Sequence, residues 1–486
     1  MPDAPAPQSP EWWLARLYKR LTDRRDMVDF FSEYYCGEHP LPWVAPQARD
    51  EFRRIVKMTR SNYMGLVVDA TAERLNVEGF RFGGEGDADA DTWRIWQAND
   101  LDSYSDMAWL EALISGASYF HVAPNPKDTS TPFVWVEHAS QAIVEHAPGT
   151  NRRDRAASLK VWNDDWTGEI HATLQLPDRI YKYRTKKTTA DANGNLQWSE
   201  RAVQGEQPNG QRKNPLGTVS IVEIPNNPRL LEGGVSELYD LTDIQDRINK
   251  TIFDRLQTQE FGVDPQKWAV AFPTEDDNGT PNVVEFGRNR MVTTDIAETK
   301  FGNFAVAPLD PYSMAKREDV KDIASRSRTP AQYLLGEMSN VNGETLKASE
   351  SGLISKVKQR MRPFSEATEE AMRLARRAAG LSDATDARME TIWTNPQYRT
   401  EGELTDAVIK RLASRISSLR QAREDVGYTA TQIVQLEKDD LAEQSDPILQ
   451  QVMKDAQVAG GGRGAIVLRD AAGADAGANA NPGPGA

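Results

Sequence analysis

The chain has 486 residues and carries 58 Lys and Arg against 72 Asp and Glu, a formal net charge of −14. That length implies two to four structural units, because single cores stop growing near roughly 250–300 residues. Hydrophobic residues make up 39%, mean hydropathy is −0.61, and no apolar run approaches the roughly 18–20 residues of a membrane span, so a membrane partner is not expected, while the acidic balance argues against tight wrapping of nucleic acid. Cys36 is the only cysteine, which excludes an intrachain disulfide and fits a reducing compartment. The start, Met1 to Pro10, is proline-rich and lacks the apolar core of a secretory signal, so no export is expected.

Residues Trp12 to Glu33 read as a helix, with Leu14, Leu17, Leu21, Val28 and Phe31 among charged residues and Gly37 as its cap. A helix then runs through Val67, Val68 and Ala72 into a strand near Phe80. The stretch Gly83–Asp91 reads as an acidic loop. Asp87, Asp89 and Asp91 have the spacing that opens a calcium loop, but Thr92 and Ala98 replace its glycine and final glutamate, so a solvated turn is expected. Trp93, Trp96, Leu101, Met107, Leu110 and Leu113 form a helical pair whose tryptophans are read as core or subunit contacts. Short strands follow at Ser118–Val122, Phe133–Val136, Ala142–Glu145, Leu159–Trp162, Ala172–Leu176, Ile180–Arg184 and Leu196–Ser199, the last two flanking the turn signal Asp191-Ala192-Asn193-Gly194.

From near Val235 an apolar stripe recurs at helical steps: Leu238, Leu241, Ile244, Ile248, Ile252 and Leu256. Short β-favouring runs come next, at Trp268–Phe272, Val283–Phe286 and Phe304–Val306. Asp310-Pro311 reads as a cap and first helical residue of a helix to about Ser325, in which only Val320 and Ile323 look like core. So few apolar residues suggest that it bridges solvent or packs on other copies. Thr329-Pro330 ends it, and Ala331–Gly343 has the composition of an exposed loop. From Glu344 a helical pattern through Leu346, Leu353, Val357, Met361, Phe364, Met372 and Ala375 runs for about ten turns. Pro363 lies inside it, and a kink is expected there because proline removes a hydrogen bond and crowds the carbonyl of Gln359. After Gly380, a short apolar piece at Ile392-Trp393 precedes three helices, Leu404–Ile416, Leu419–Val426 and Ala430–Glu443, with Gly427 as a stop and Thr429 with Gln432 as a capping box. The Gly- and Ala-rich segment beyond Ala456 cannot bury enough to offset its ordering entropy and is read as disordered.

Tyr34-Tyr35-Cys36-Gly37-Glu38-His39 fits a Tyr-Tyr-x-Gly-x-His pattern. It is followed by Glu73-Arg74-Leu75 with Gly79-Phe80, then by Pro215-Leu216-Gly217 with Asn226, Gly233 and Ser236-Glu237-Leu238, and then by the helix, β excursion, polar helix, polar loop and long helix. In that order these blocks resemble the portal proteins of tailed bacteriophages, siphophage type, up to about Glu443. The resemblance implies an α+β, portal-like fold. After a flexible 1–11 come a mixed α/β wing at 12–232 (a helical start, then mainly antiparallel β), a stem helix at 233–262, a small β clip at 263–309 and a second stem helix at 310–328. A tunnel loop at 329–343, a long kinked wing helix with its connection at 344–399, a helical crown at 400–455 and a disordered tail at 456–486 complete it.

It further implies a dodecameric ring at one capsid vertex, assembled in the host cytoplasm and retained in the virion, through which double-stranded DNA is packaged and ejected. Terminase, the head-tail connector, and the major capsid and scaffolding proteins are the implied partners. The expected DNA-channel residues are Lys316, Lys321, Arg326, Arg328, Asn340 and Asn342, with ion pairing to Asp319, Asp322 or neighbouring acids as the alternative for the cations, above all Lys321. Leu241, Ile248 and Ile252 are the expected subunit-packing residues, and Pro363 the helix kink.

No G-x-x-x-x-G-K-[ST], G-x-S-x-G or H-E-x-x-H occurs, and His39, His121, His138, His146 and His171 show no helical ligand spacing. The chain is therefore read as a structural protein with no cofactor, metal or catalytic residue. The competing reading is a head-assembly adaptor without a channel, or an enzyme associated with packaging.

Overall fold

The computed structural model describes residues 6–43, 55–82, 89–150, 154–186, 196–202, 211–230, 233–263, 265, 267–271, 275, 296–336, 343–381, 388–397, 401–428 and 430–445. The chain divides into two compact units, residues 1–399 and 400–486.

The first unit opens with α1 (Pro10–Cys36), started by the Ser9 hydroxyl, which accepts from the Trp12 N–H, and by Pro10 in its first turn. Its buried residues serve two cores in turn. Leu14, Leu17 and Leu21 pack with Leu159, Val161, Ala172 and Leu174, whereas Phe31 and Tyr34 join the main core. At about 1.5 Å per residue one rigid helix spans the distance between them. Helix α2 (Tyr63–Ala72) is capped by Asn62 and leads into β1 (Val77–Phe82). Next come α3 (Ala90–Ala98) and α4 (Leu101–Ser115).

Asp89 caps α3 and receives Arg376 Nη1 at 2.5 Å, so this member of the acidic triplet is committed to a helix end and an ion pair; Asp87 lies outside the described residues. Trp96 is fully buried, stacked on Trp93 and edge-on to Phe80, and its indole N–H donates to Asp102. It is a core residue.

The β region forms two antiparallel sheets. One has the order β10 (Ile221–Pro225), β2 (Ala117–Ala123), β3 (Phe133–Glu137). The other runs β4 (Ala142–His146), β5 (Arg155–Asp164), β6 (Glu169–Gln175), β7 (Arg179–Thr185), β8 (Ser199–Glu200), with β9 (Gln211–Lys213) also on β7. The last strand is thus later and shorter than Leu196–Ser199, and the turn Asp191–Gly194 lies outside the described residues. Gly116, at φ 86, and Gly234 allow two loops to touch: a Cβ on Gly234 would stand 1.9 Å from the Gly116 carbonyl oxygen. That contact sets the entry to the next helix.

Helix α5 (Thr242–Val263) starts seven residues after Val235, because 237–241 form turns. Strand β11 (Lys267–Val270) pairs antiparallel with β12 (Lys300–Asn303), and Gly302 leaves room for the Trp268 ring against the opposite backbone. Of the expected β runs, Trp268–Phe272 is realised as β11, Phe304–Val306 follows β12 without strand pairing, and Val283–Phe286 lies outside the described residues. Helix α6 (Asp310–Ser327) has Leu309, not Asp310, at its cap position, with Asp310 and Pro311 in the first turn. Its buried residues are Val320, Ile323, Ala324 and Ser327, so the sparse core face is as read.

Residues Ala331–Leu335 form a short helix, α7, rather than an exposed loop, because Leu334 is buried in the main core. Helix α8 (Gly343–Ala379) runs through Pro363 and buries Leu353, Val357, Phe364 and Met372. Strand β13 (Met389–Trp393) returns to pair with β1.

The second unit contains α9 (Glu401–Ala413), α10 (Leu419–Val426) and α11 (Ala430–Ser445). Helix α9 begins and ends three residues before its expected bounds. Gly427 terminates α10 at φ 100, and Arg423 pairs with Asp440 at 2.8 Å between α10 and α11. Thr429 and the segment beyond Ala456 lie outside the described residues.

Candidate functional site

Helices α5 and α6 are tied by Arg247, whose Nε is 2.7 Å from Asp319 and whose Nη2 is 2.9 Å from Asp322. Burial raises the Asp319 carboxyl above its ordinary range, with the Arg247 guanidinium opposing. Lys321 Nζ donates to Glu318 at 2.7 Å on the same helix, and the Lys316 ammonium lies over the Tyr63 ring, 5.7 Å from its centroid. Arg326 and Arg328 stand where α6 ends, Arg328 as its left-handed cap. Of the four expected channel cations, then, two are engaged by neighbours and two stand together at one helix end. Asn340 and Asn342 lie outside the described residues.

Leu241, Ile248 and Ile252 are 2%, 0% and 8% exposed within one chain, packed in the same core as Val320, Ile323 and Leu353. Within one chain they are core residues, covered without a second copy. Helical periodicity identifies a face that must be buried; it does not say whether the cover comes from the same chain. Large apolar residues that do face solvent on the surrounding helices include Met27 and Phe30 on α1, Leu66 on α2, Met107 on α4 and Met314 on α6.

The Tyr34–His39 block docks onto α5. Tyr34 Oη donates to Asp246 at 2.9 Å, and its ring stacks on His39 at 5.0 Å. Asn249 Nδ2 donates to His39 Nε2 at 2.5 Å, while Asn249 Oδ1 accepts from the Ser61 N–H at 3.1 Å. Gln245 accepts from the Tyr63 N–H and donates to the Ser61 carbonyl. Burial pushes the His39 pKa down, with Arg60 adding to the effect. At α7, Tyr333 Oη donates to Glu350 on α8 and accepts from Arg74 at 3.1 Å, which fixes the start of the 331–343 segment.

One ionic cluster was not anticipated. Glu237, buried in front of α8, receives Arg360 Nε at 2.5 Å and Asn226 Nδ2 at 3.1 Å. Lys356 Nζ sits 3.8 Å from Glu237 and makes no hydrogen bond. Burial alone would raise the Glu237 carboxyl, yet Lys356 and Arg360 hold it below its ordinary range; burial lowers Lys356 to about 8, with Glu237 opposing. The available sequence signal was two cations at i and i+4, each directly preceding an apolar stripe residue, Val357 and Met361.

Residues 14–445 match the family described as "Phage portal protein, SPP1 Gp6-like". The chain is similar to the portal protein of Mycobacterium phage D29, at 31% identity over 399 residues and 76% of each chain. It is also similar to the portal protein of Mycobacterium phage L5, at 30% identity over 438 residues, 84% of this chain and 85% of that one. Among solved structures, a chain in "Neck of empty GTA particle computed with C6 symmetry" aligns with a TM-score of 0.42 and 11% identity, covering 80% of this chain and 95% of that one.

Proposed function

The chain belongs to the SPP1 Gp6-like phage portal protein family, and from that premise we propose that it closes into a dodecameric ring at one capsid vertex and forms the channel for packaging and ejecting double-stranded DNA. The observation that carries this reading is the family match across 14–445, which takes in both units of the chain. In this assignment α5 and α6 are the stem, β11 and β12 the clip, the segment around Asn340 and Asn342 the tunnel loop, and α9 to α11 the crown. Terminase and the head-tail connector dock on the ring, which meets capsid and scaffolding proteins at the vertex and stays in the virion.

Arg247 supports the stem assignment, because its two ion pairs clamp α5 to α6 as one hairpin arm. Subunit contacts fall to the exposed apolar residues Met27, Phe30, Leu66 and Met107 in place of the internal stripe. Negative-stain imaging and mass photometry of the purified protein test this. Closed rings of uniform mass are expected. Monomers at every concentration would support the adaptor reading instead.

A further inference from the structure

A cavity of about 280 Å³ opens where the loop before α5, the end of α6 and the middle of α8 meet. Its lining sets five cations, Arg229, Arg326, Arg328, Lys356 and Arg360, against two acids, Glu237 and Asp240. In a chain with a net charge of −14, this is a local reversal of sign.

Lys356 is only 3% exposed, and its Nζ has all three donors unused. Glu237 holds Arg360 and Asn226 through Oε1 and turns Oε2 toward Lys356, but at 3.8 Å that oxygen accepts no hydrogen bond from the ammonium. Arg326 and Arg328 form no ion pair with an acid among the described residues, although both stand at this cavity. A desolvated cation with idle donors behind two guanidinium forks lacks one component, a compact group with several acceptor oxygens. The end of α6 presents the unfavourable pole of its helix dipole here, a smaller effect than one uncompensated full charge.

We propose that this cavity is a receptor for a phosphate-class oxyanion, held by Arg326 and Arg328 with Lys356 supplying positive charge from behind. The same chemistry is carried by free phosphate and by a nucleic-acid phosphodiester, and the site needs no ring in order to form. The low pKa of Lys356 adds a signature. Near pH 8 part of the Lys356 population is neutral, and an incoming anion restores the ammonium, so binding takes up a proton. The other charged groups facing it are Glu237 on the loop before α5, Arg328 at the end of α6 and Arg360 on its own helix.

The test is calorimetric titration of the full-length protein with sodium phosphate at constant ionic strength, with a short DNA duplex as a second arm. Saturable phosphate binding is expected, weakened at least tenfold in the double variant Arg326→Gln, Arg328→Gln and in Lys356→Met, and unchanged in Lys127→Gln. Titrating sulfate, which does not itself titrate near pH 8, in buffers of different ionisation enthalpy should reveal proton uptake that Lys356→Met abolishes. If the double variant instead loses only duplex binding, the site holds and its ligand is the phosphodiester. Phosphate heats equal to those of sodium chloride, together with duplex binding untouched by the double variant, would overturn the proposal.

Discussion

At the scale of single residues, Glu237, Lys356 and Arg360 invite a comparison, because the two cations share one acid but touch it differently. Arg360 makes a direct hydrogen bond, whereas Lys356 stands at 3.8 Å with no bond at all. Removing Arg360 leaves Glu237 buried without its main partner, and breaking such a pair costs about 3–5 kcal/mol. Removing Lys356 leaves Glu237 bonded to Arg360 and Asn226 and relieves a desolvated ammonium, so replacement by an apolar chain of similar length is expected to cost less than about 1 kcal/mol or to stabilise. Thermal melts at pH 7 should therefore show a clear drop for Arg360→Met and little or none for Lys356→Met. The pH dependence has a definite sign. Folded Lys356 titrates at about 8 and the unfolded side chain near 10.5, so the unfolded state binds more protons between those values and the wild type gains stability as pH rises through them. Lys356→Met should lose that slope; an identical slope in the variant would contradict the assignment.

Whole elements show how far pattern reading reaches. Helices α1, α5 and α8 were readable because each repeats apolar residues at helical steps, and α6, with its sparse apolar face, because Pro311 and Pro330 bound it. The short helix α7 was not, since Ala331–Leu335 reads as loop composition and is helical only because Leu334 is buried in the main core and Tyr333 bonds Glu350 on α8 and Arg74 just after α2. The cover of the α5 stripe was missed for the same reason: the covering residues, Val320, Ile323 and Leu353, lie more than sixty positions away. This changes what Ile248→Asp should do. It places a charge in the chain's own core, a penalty of several kcal/mol, and should reduce soluble folded protein and raise protease sensitivity before any effect on assembly. A normally folded Ile248→Asp monomer that merely fails to assemble would return the stripe to the subunit interface. The strap from His39 to α5 gives a milder case. Asn249→Ala strands the Ser61 N–H and His39 Nε2, at about 1–3 kcal/mol, and should lower the melting temperature without unfolding the chain. Because the folded His39 pKa lies below its ordinary value, the unfolded chain binds the extra proton as pH falls below about 6.5, and the strap weakens toward acid.

For the whole molecule the governing quantity is charge. Each copy brings a net −14, and a ring multiplies it, so an acidic channel wall is expected to hold DNA off by repulsion and keep it centred and mobile. Many Lys or Arg contacts would do the opposite, adding steeply salt-dependent grip that resists translocation. The charges on α5 and α6, the proposed stem, fit a weakly gripping wall. Lys321 is spent on Glu318, Lys316 lies over Tyr63, and Arg247 is spent on Asp319 and Asp322, which leaves Arg326 and Arg328 as the cations best placed for transient phosphate contact. Exposed pairs such as Lys321 with Glu318 contribute only about 0–1 kcal/mol, so they matter here by occupying the cation more than by stabilising the helix. The expectation is that purified rings retain duplex DNA at low salt and release it well below physiological ionic strength. Neutralising Arg326 and Arg328 should cut the low-salt retention and flatten its salt dependence, whereas Lys316→Gln with Lys321→Gln should change it little. Filter retention of labelled duplex across a salt series measures both. Tight, sequence-independent binding that survives at about 0.15 M salt would rule out a repelling wall, since at that ionic strength screening has already reduced the reach of exposed charges to about 8 Å.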